Sequence, residues 1–267
     1  MSYNKNILIE IALQAGNEIL KYFGHKYITE YKSDNSPVTE ADIAANNIIL
    51  AGLAATNLPI ISEESGISPY SERKLYKEYW LVDPLDGTKQ FVRNENEFTV
   101  NIALIKDNQP VEGVVYAPAI NKLYYGNIEE GAFLYDYNIK DCIPVQLPLK
   151  HKQGLSLIVS KSHLNENTRN FIDKIKTEFP DAEICQVGSS LKFCCLAEGN
   201  TDFYPRIGAI SEWDIAAGHA VLKSAGGYVV ELSTGKDIVY NSNSLRTPDF
   251  IAFGNKEKFM NVFKRKI

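Results

Sequence analysis

Cysteine is scarce. The four present among 267 residues, Cys142, Cys185, Cys194 and Cys195, form no Cys-x-x-Cys pair, and the adjacent couple cannot close an ordinary structural disulfide with each other. They read as reduced, mostly buried thiols. Nowhere does the chain approach the roughly 18 consecutive apolar residues of a membrane-spanning helix, and its start, MSYNKNILIE, lacks the long apolar run of a secretory leader. The cytoplasm is therefore the expected compartment. An excess of positive charge is missing as well: 28 Lys and Arg stand against 33 Asp and Glu, so the electrostatic footprint of a protein that coats a nucleic-acid polymer is absent. Neither phosphate-binding loop occurs, G-x-x-x-x-G-K-[ST] or G-x-G-x-x-G, which withdraws support from an ATP-driven or dinucleotide enzyme. There is no internal repeat and no low-complexity tract.

What remains is an ordinary globular composition in which the apolar rhythm changes along the chain. Ile7, Ile11, Ala15, Ile19 and Phe23 recur every four residues up to Gly24, and Ala41, Ala44 and Ile48 repeat the pattern after Thr39, so two helices open the chain. Short apolar runs follow at 59–62, 79–83, 98–105, 111–117, 122–126 and 131–135, closely spaced and punctuated by Gly, Asn and Pro, as in an antiparallel sheet. From 150 onward, runs such as LSLIVS, AEICQV, TDFYP and GYVVEL alternate with helical stretches near 165–178, from about 190 and from about 213. The polar segment DYNIKDCIPVQLPLKHKQ separates the two rhythms. The expectation is an α/β protein with an α+β half at 1–150 and an α/β half at 151–267.

The chemistry concentrates in acids at strand ends. The run YWLVD leads into DPLDGT, which places Asp83, Asp86 and Thr88 on one tight turn, and Glu63 and Glu64 follow another short apolar run. Asp-Pro and Asp-Gly alone mark ordinary turns. With Asp42 and Asp214 added, however, up to six carboxylates can converge, and like charges at close range cannot all ionise without cations to neutralise them. No His or Cys accompanies these acids, so the donor set is hard oxygen, suited to Mg²⁺ or Mn²⁺. The bland readings compete: Thr39 to Asp42 and Ser211 to Asp214 both match a capping box. By the same standard Lys192 and Arg206 are solvated charges, and His25, His151 and His219 are surface or packing residues. The two aspartates of DPLDGT are three apart, not the two of an aspartyl-phosphate turn, which favours activated water over a covalent intermediate.

NSPVTEAD (35–42), SEE (62–64), DPLDGT (83–88) and WDIAAG (213–218), in this order and spacing, resemble the Mg²⁺-dependent, Li⁺-sensitive inositol monophosphatase superfamily over nearly the whole chain. Within it, DGTKQFV, SKSH with GSSLKFC, and FYPR resemble bacterial 3'(2'),5'-bisphosphate nucleotidases, although Gln90 stands where that subfamily carries Glu. The resemblance implies a layered αβαβα sandwich with the site between its halves. It also implies that Glu63, Asp83 and the Leu85 carbonyl hold one Mg²⁺, that Asp83, Asp86 and Asp214 hold a second, and that Thr88 and Asp42 orient and deprotonate water, with a third, weaker ion in some members and Glu64 in support. The Gly87 and Thr88 amides would meet the scissile phosphate, while His163, Ser189, Lys192 and Arg206 would grip the other phosphate and the nucleoside. The implied partner is a small nucleotide, adenosine 3',5'-bisphosphate, hydrolysed to AMP. Two alternatives stay open: another inositol or sugar phosphate phosphatase, and a non-catalytic ligand-binding protein on the same scaffold.

Overall fold

The computed structural model describes residues 5–25, 29–31, 37–149, 153–162 and 164–263, and it opens with helix α1 (Lys5–Leu20), the strand pair β1 (Thr29–Tyr31) and β2 (Pro37–Thr39), and helix α2 (Glu40–Leu53). The buried face of α1 is Leu8, Ile11, Ala12, Ala15 and Ile19. A strict four-residue comb drifts off a helix of 3.6 residues per turn, so Ile7, expected on that face, lies 46% exposed. Helix α2 buries Ala41, Ala45, Ile49 and Leu53, while the expected Ala44 and Ile48 sit half-buried, one position off that stripe. Phe23 lies beyond the helix and packs against Phe91 and Phe98 at ring distances of 5.7 and 4.9 Å.

The next stretch carries β3 (Ile60–Ser62), α3 (Tyr70–Arg73), β4 (Glu78–Asp86), α4 (Thr88–Val92), β5 (Thr99–Lys106), β6 (Gln109–Ala117), β7 (Lys122–Asn127), β8 (Gly131–Asp136) and β9 (Val145–Leu147). Its seven strands form one sheet in chain order. All neighbours are antiparallel except β3 and β4, which run parallel with Ser62 opposite Val82. The sequence reading anticipated a wholly antiparallel sheet; the long 63–77 connection with α3 in it is what lets the chain return in the same direction. This exception matters for the site, because it delivers Glu63 and Asp83 to the same end of neighbouring strands.

The remainder comprises β10 (Ser156–Ser160), α5 (Glu166–Glu178), β11 (Glu183–Val187), α6 (Leu191–Glu198), β12 (Phe203–Arg206), α7 (Trp213–Ser224), β13 (Tyr228–Glu231), β14 (Phe250–Phe253) and α8 (Lys256–Phe263). Its sheet has the order β11-β10-β12-β14-β13, with β10 parallel to both neighbours and β14 antiparallel to both of its own.

Alternation along β4 sorts its side chains between two layers. Trp80 and Val82 pack with Leu8, Ile19 and Ile49 of α1 and α2, whereas Tyr79 and Leu81 join Phe193, Ala217 and Val221 of α6 and α7. A third cluster, including Leu157, Ile175, Phe203 and Phe259, covers the outer face of the second sheet with α5 and α8. The result is the αβαβα order. Helix α7 comes close to the first sheet because Gly113 and Gly126 have no side chain there: a Cβ at either would stand 2.8 Å from Ala220 Cβ or 2.6 Å from Val221 Cα. Asp214, in the first turn of α7, is thereby carried to the strand ends that hold Asp83. The thiols are unpaired; Cys194 is buried, and the other three are only half-buried, less than the sequence suggested.

Candidate active site

Where β4 ends, Asp83 Oδ1 accepts the Leu85 amide at 3.1 Å and folds the carboxylate over its own turn. Gly87 then takes φ +91, and a Cβ there would stand 2.8 Å from the Glu97 carbonyl oxygen, so both conformation and space call for glycine. This turn starts α4 and aims the Thr88 hydroxyl back at the Leu85 carbonyl, 3.1 Å away, and at Asp42 Oδ1, 3.3 Å away. The other oxygen of Asp42 accepts the Thr39 amide at 2.7 Å and the Thr39 hydroxyl at 2.6 Å. Capping and site geometry are therefore not alternatives here, because Asp42 serves each with a different oxygen.

At Asp214 the capping expectation fails in part. Helix α7 begins after Glu212, whose carboxylate accepts the Asn241 and Ser242 amides at 2.7 and 2.9 Å, and Ser211 Oγ is taken by Arg246 Nη1 at 2.9 Å. Of Ser211, the backbone amide alone favours the charged form of Asp214, and the Arg206 guanidinium adds to it. That carboxylate instead joins Glu63 and Asp83, with one oxygen from each lying within 4.8 Å of the others.

Burial and mutual repulsion dominate the cluster. Asp83 and Asp214 are held well above the usual carboxylate range, first by burial and then by one another and by Glu63 and Asp86. Asp86 is raised to about 6 by burial, against the pull of the Lys192 ammonium and hydrogen bonds from Ser190 and Asn101. Asp42 is raised to about 7 by burial, opposed by the Thr39 bonds and helped by Glu64 and Glu63. Three converging carboxylates with no nitrogen or sulfur donor suit a hard divalent cation, whose charge would offset their mutual repulsion. The residues present fit such an ion.

A cavity of about 370 Å³ is lined by the acids Glu63, Asp83, Asp86 and Asp214 together with the cations Lys192 and Arg206. Lys192 is not a solvated helix charge: it is buried, its ammonium lies 5.3 Å from the Tyr204 ring centroid and donates to the Ser189 carbonyl, and burial lowers its pKa to about 8. Ser189, in the left-handed region at φ +46, lines the cavity, as do Leu85, Gly87's neighbour Thr88 and Arg206. Glu64 and Asp42 stand behind this lining, and His163 lies outside the described residues. Of the other histidines, His219 is buried with Nδ1 2.9 Å from the Tyr240 hydroxyl, and His25 is exposed.

Several lining residues escaped the sequence reading as site residues, among them Gln90, Ser190 and Arg246. Gln90, noted only as a departure, is buried in the wall and donates to Ser162 Oγ; Ser190 donates to Asn101 at 2.6 Å; and Arg246, bonded to Ser211, also lines the cavity. Of these three, only Gln90, next to DPLDGT, carried a local signal.

The model of the Inositol monophosphatase family matches residues 2–263. The 3'(2'),5'-bisphosphate nucleotidase CysQ of Buchnera aphidicola subsp. Acyrthosiphon pisum is 42% identical over 241 residues, covering 89% of this chain and 87% of that protein. The enzyme of the same name from Escherichia coli (strain K12) is 38% identical, with 90% and 96% covered. The crystal structure of CysQ from Bacteroides thetaiotaomicron superimposes with a TM-score of 0.85 at 35% identity, over 96% of this chain and 99% of that one. With a family model spanning the sequence, relatives this similar over most of their length, and a shared five-layer architecture, the chain belongs to the inositol monophosphatase family.

Proposed function

We propose that this protein is a Mg²⁺-dependent phosphomonoesterase that hydrolyses adenosine 3',5'-bisphosphate to AMP and inorganic phosphate. The observation that carries this reading is the mixed charge of the cavity: a carboxylate cluster suited to cations shares one space with the buried Lys192 and with Arg206. A substrate with one phosphate to be cleaved and a second to be held matches that pairing. The names of the similar nucleotidases support the same substrate class.

Glu63, Asp83 and the Leu85 carbonyl would hold one ion, and Asp83, Asp86 and Asp214 a second. When bound, the cations supply charge neutralisation at the phosphoryl oxygens and acidify water. The Thr88 hydroxyl orients the attacking water, and Asp42 Oδ1 takes its proton through Thr88 Oγ; a carboxylate raised to about 7 is a competent base at neutral pH. The Gly87 and Thr88 amides meet the transferring phosphate. Lys192 and Arg206 hold the 5'-phosphate, and Ser189 and His163 the nucleoside side of the substrate. Turnover of this nucleotide, and of its 5'-phosphosulfate form, would place the enzyme in sulfur metabolism.

Phosphate release from adenosine 3',5'-bisphosphate, inositol 1-phosphate and fructose 1,6-bisphosphate, each with Mg²⁺ and with excess EDTA, tests the reading. The expected result is Mg²⁺-dependent turnover with the highest kcat/KM on the nucleotide. Preference for inositol 1-phosphate would move the assignment to the other branch of the family, and no turnover of any would favour a binding role.

A further inference from the structure

The segment between α4 and β5 is not part of any acidic motif, yet Glu97 within it touches two turns that carry lining residues of the cavity. Its main-chain oxygen abuts Gly87, on the turn that carries Thr88. Its carboxylate accepts the Gly188 amide at 2.8 Å, at the start of the turn that holds Ser189 and leads into α6 with Lys192. The fit is close on this side too: a Cβ at Gly188 would stand 3.1 Å from the Glu97 carboxylate and 3.0 Å from its carbonyl oxygen. Gly188 lines the cavity while Glu97 does not, so any influence of Glu97 on substrate passes through that turn. Lys161 completes the arrangement, with its ammonium 2.7 Å from Glu95 and 3.5 Å from Glu97, which offsets a negative charge near an anion-binding wall.

We propose that Glu97 is a positioning residue for substrate binding: its carboxylate fixes the Gly188–Ser190 turn, and with it the start of α6 that carries Lys192, at a set distance from the catalytic turn. The ion pairs with Lys161 are about a third exposed, which leaves them little weight. The charge-assisted bond to the Gly188 amide is the stronger link. Replacing the side chain leaves the main-chain contact with Gly87 in place, so the carboxylate cluster, held by β3, β4 and α7, keeps its geometry. The effect therefore falls on KM rather than kcat. The inference rests on the bisphosphate reading of the cavity.

The test is steady-state kinetics with adenosine 3',5'-bisphosphate and with adenosine 3'-monophosphate, for Glu97→Ala, Glu97→Asp, Glu97→Gln and Lys161→Ala. Glu97→Ala, and Glu97→Asp with its shorter reach, should raise KM for the bisphosphate about tenfold with kcat nearly unchanged, and raise it less for the monophosphate. Glu97→Gln, whose amide oxygen can still accept from Gly188, should restore most of the loss, and Lys161→Ala should match the unmutated protein. A fall in kcat shared by both substrates, failure of Gln to rescue, or an equal effect of Lys161→Ala would overturn the proposal. Should the unmutated protein fail to turn over the bisphosphate, the functional reading falls. Hydrogen exchange at the Gly188 amide then decides this one separately: acceleration in Glu97→Ala supports the clasp, and unchanged exchange removes it.

Discussion

The Thr88 hydroxyl and Asp42 Oδ1 lie 3.3 Å apart although 46 residues separate them in the chain. One comes from the turn after β4, the other from the first turn of α2, and the Thr39 bonds to the second oxygen of Asp42 leave Oδ1 free to face Thr88. In the proposed mechanism that pair handles the proton of the attacking water. Thr88→Ala should lower kcat by about 100-fold or more with a small change in KM, and Thr88→Ser should recover much of the rate. A change confined to KM would reduce Thr88 to a residue of the turn.

Asp83, Asp86 and Asp214 each repel the others in the cation-free protein. Replacing any one by Asn should abolish most activity, because a cation ligand is lost, and yet raise or preserve the melting temperature measured in chelator, because a buried like charge is removed. In the unmutated protein Mg²⁺ should raise the melting temperature by mass action, and each Asn variant should lose most of that gain. Variants that melt markedly lower in chelator would show that the acids hold the fold itself rather than a cation.

Much of this was legible in the sequence, and the parts that were not share a cause. The apolar runs gave six of the seven strands of the first sheet, missing β9 in the segment read as a boundary, and the acids picked out along the chain include the three that converge. Periodicity counted in fours misplaced Ile7, since a four-residue comb drifts off the helical face, and in α2 a choice of Ala44 and Ile48 missed the buried Ala45 and Ile49 by one position. That Glu63 neighbours Asp83 depends on the parallel pairing of β3 with β4, which no local pattern announces. The same holds for Arg246, which meets Ser211 across 35 residues, and for Glu97, which meets Gly188 across 91. Lys192 shows the limit most plainly. A lysine early in a helix reads as solvated until tertiary packing encloses it beside Tyr204 and Asp86.

The burial of Lys192 sharpens the test of substrate class. Its ammonium stabilises the charged form of Asp86, and Arg206 does the same for Asp214, so both cations act on the acidic cluster as well as on any bound anion. Lys192→Ala and Arg206→Ala should therefore cost activity on every substrate. The informative quantity is the ratio: the loss in kcat/KM for adenosine 3',5'-bisphosphate should exceed that for adenosine 3'-monophosphate by about tenfold or more, the worth of one charge-assisted hydrogen bond. Equal losses would assign both residues to the acidic cluster alone.

The raised pKa of Asp42 fixes the sign of a pH dependence. With a folded value of about 7 and an ordinary carboxylate value of 3.8 when unfolded, the folded state binds the extra proton between these limits. Stability contributed by this group is full below pH 4 and declines as pH rises toward 7, because ionisation then strands a charge in a buried site. His219, lowered to about 3 by burial, works in the opposite direction between pH 3 and 6.5, and the raised Asp83, Asp86 and Asp214 act in the same direction as Asp42, so the raw melting temperature mixes several groups. Asp42→Asn separates Asp42 from the rest, since Asn stays neutral throughout and leaves His219 untouched. In chelator, the melting temperature of Asp42→Asn minus that of the unmutated protein should grow from pH 4 to 7 and level off above. A difference that stays flat across this window would mean that Asp42 keeps an ordinary pKa, and would remove it as the proton acceptor at neutral pH.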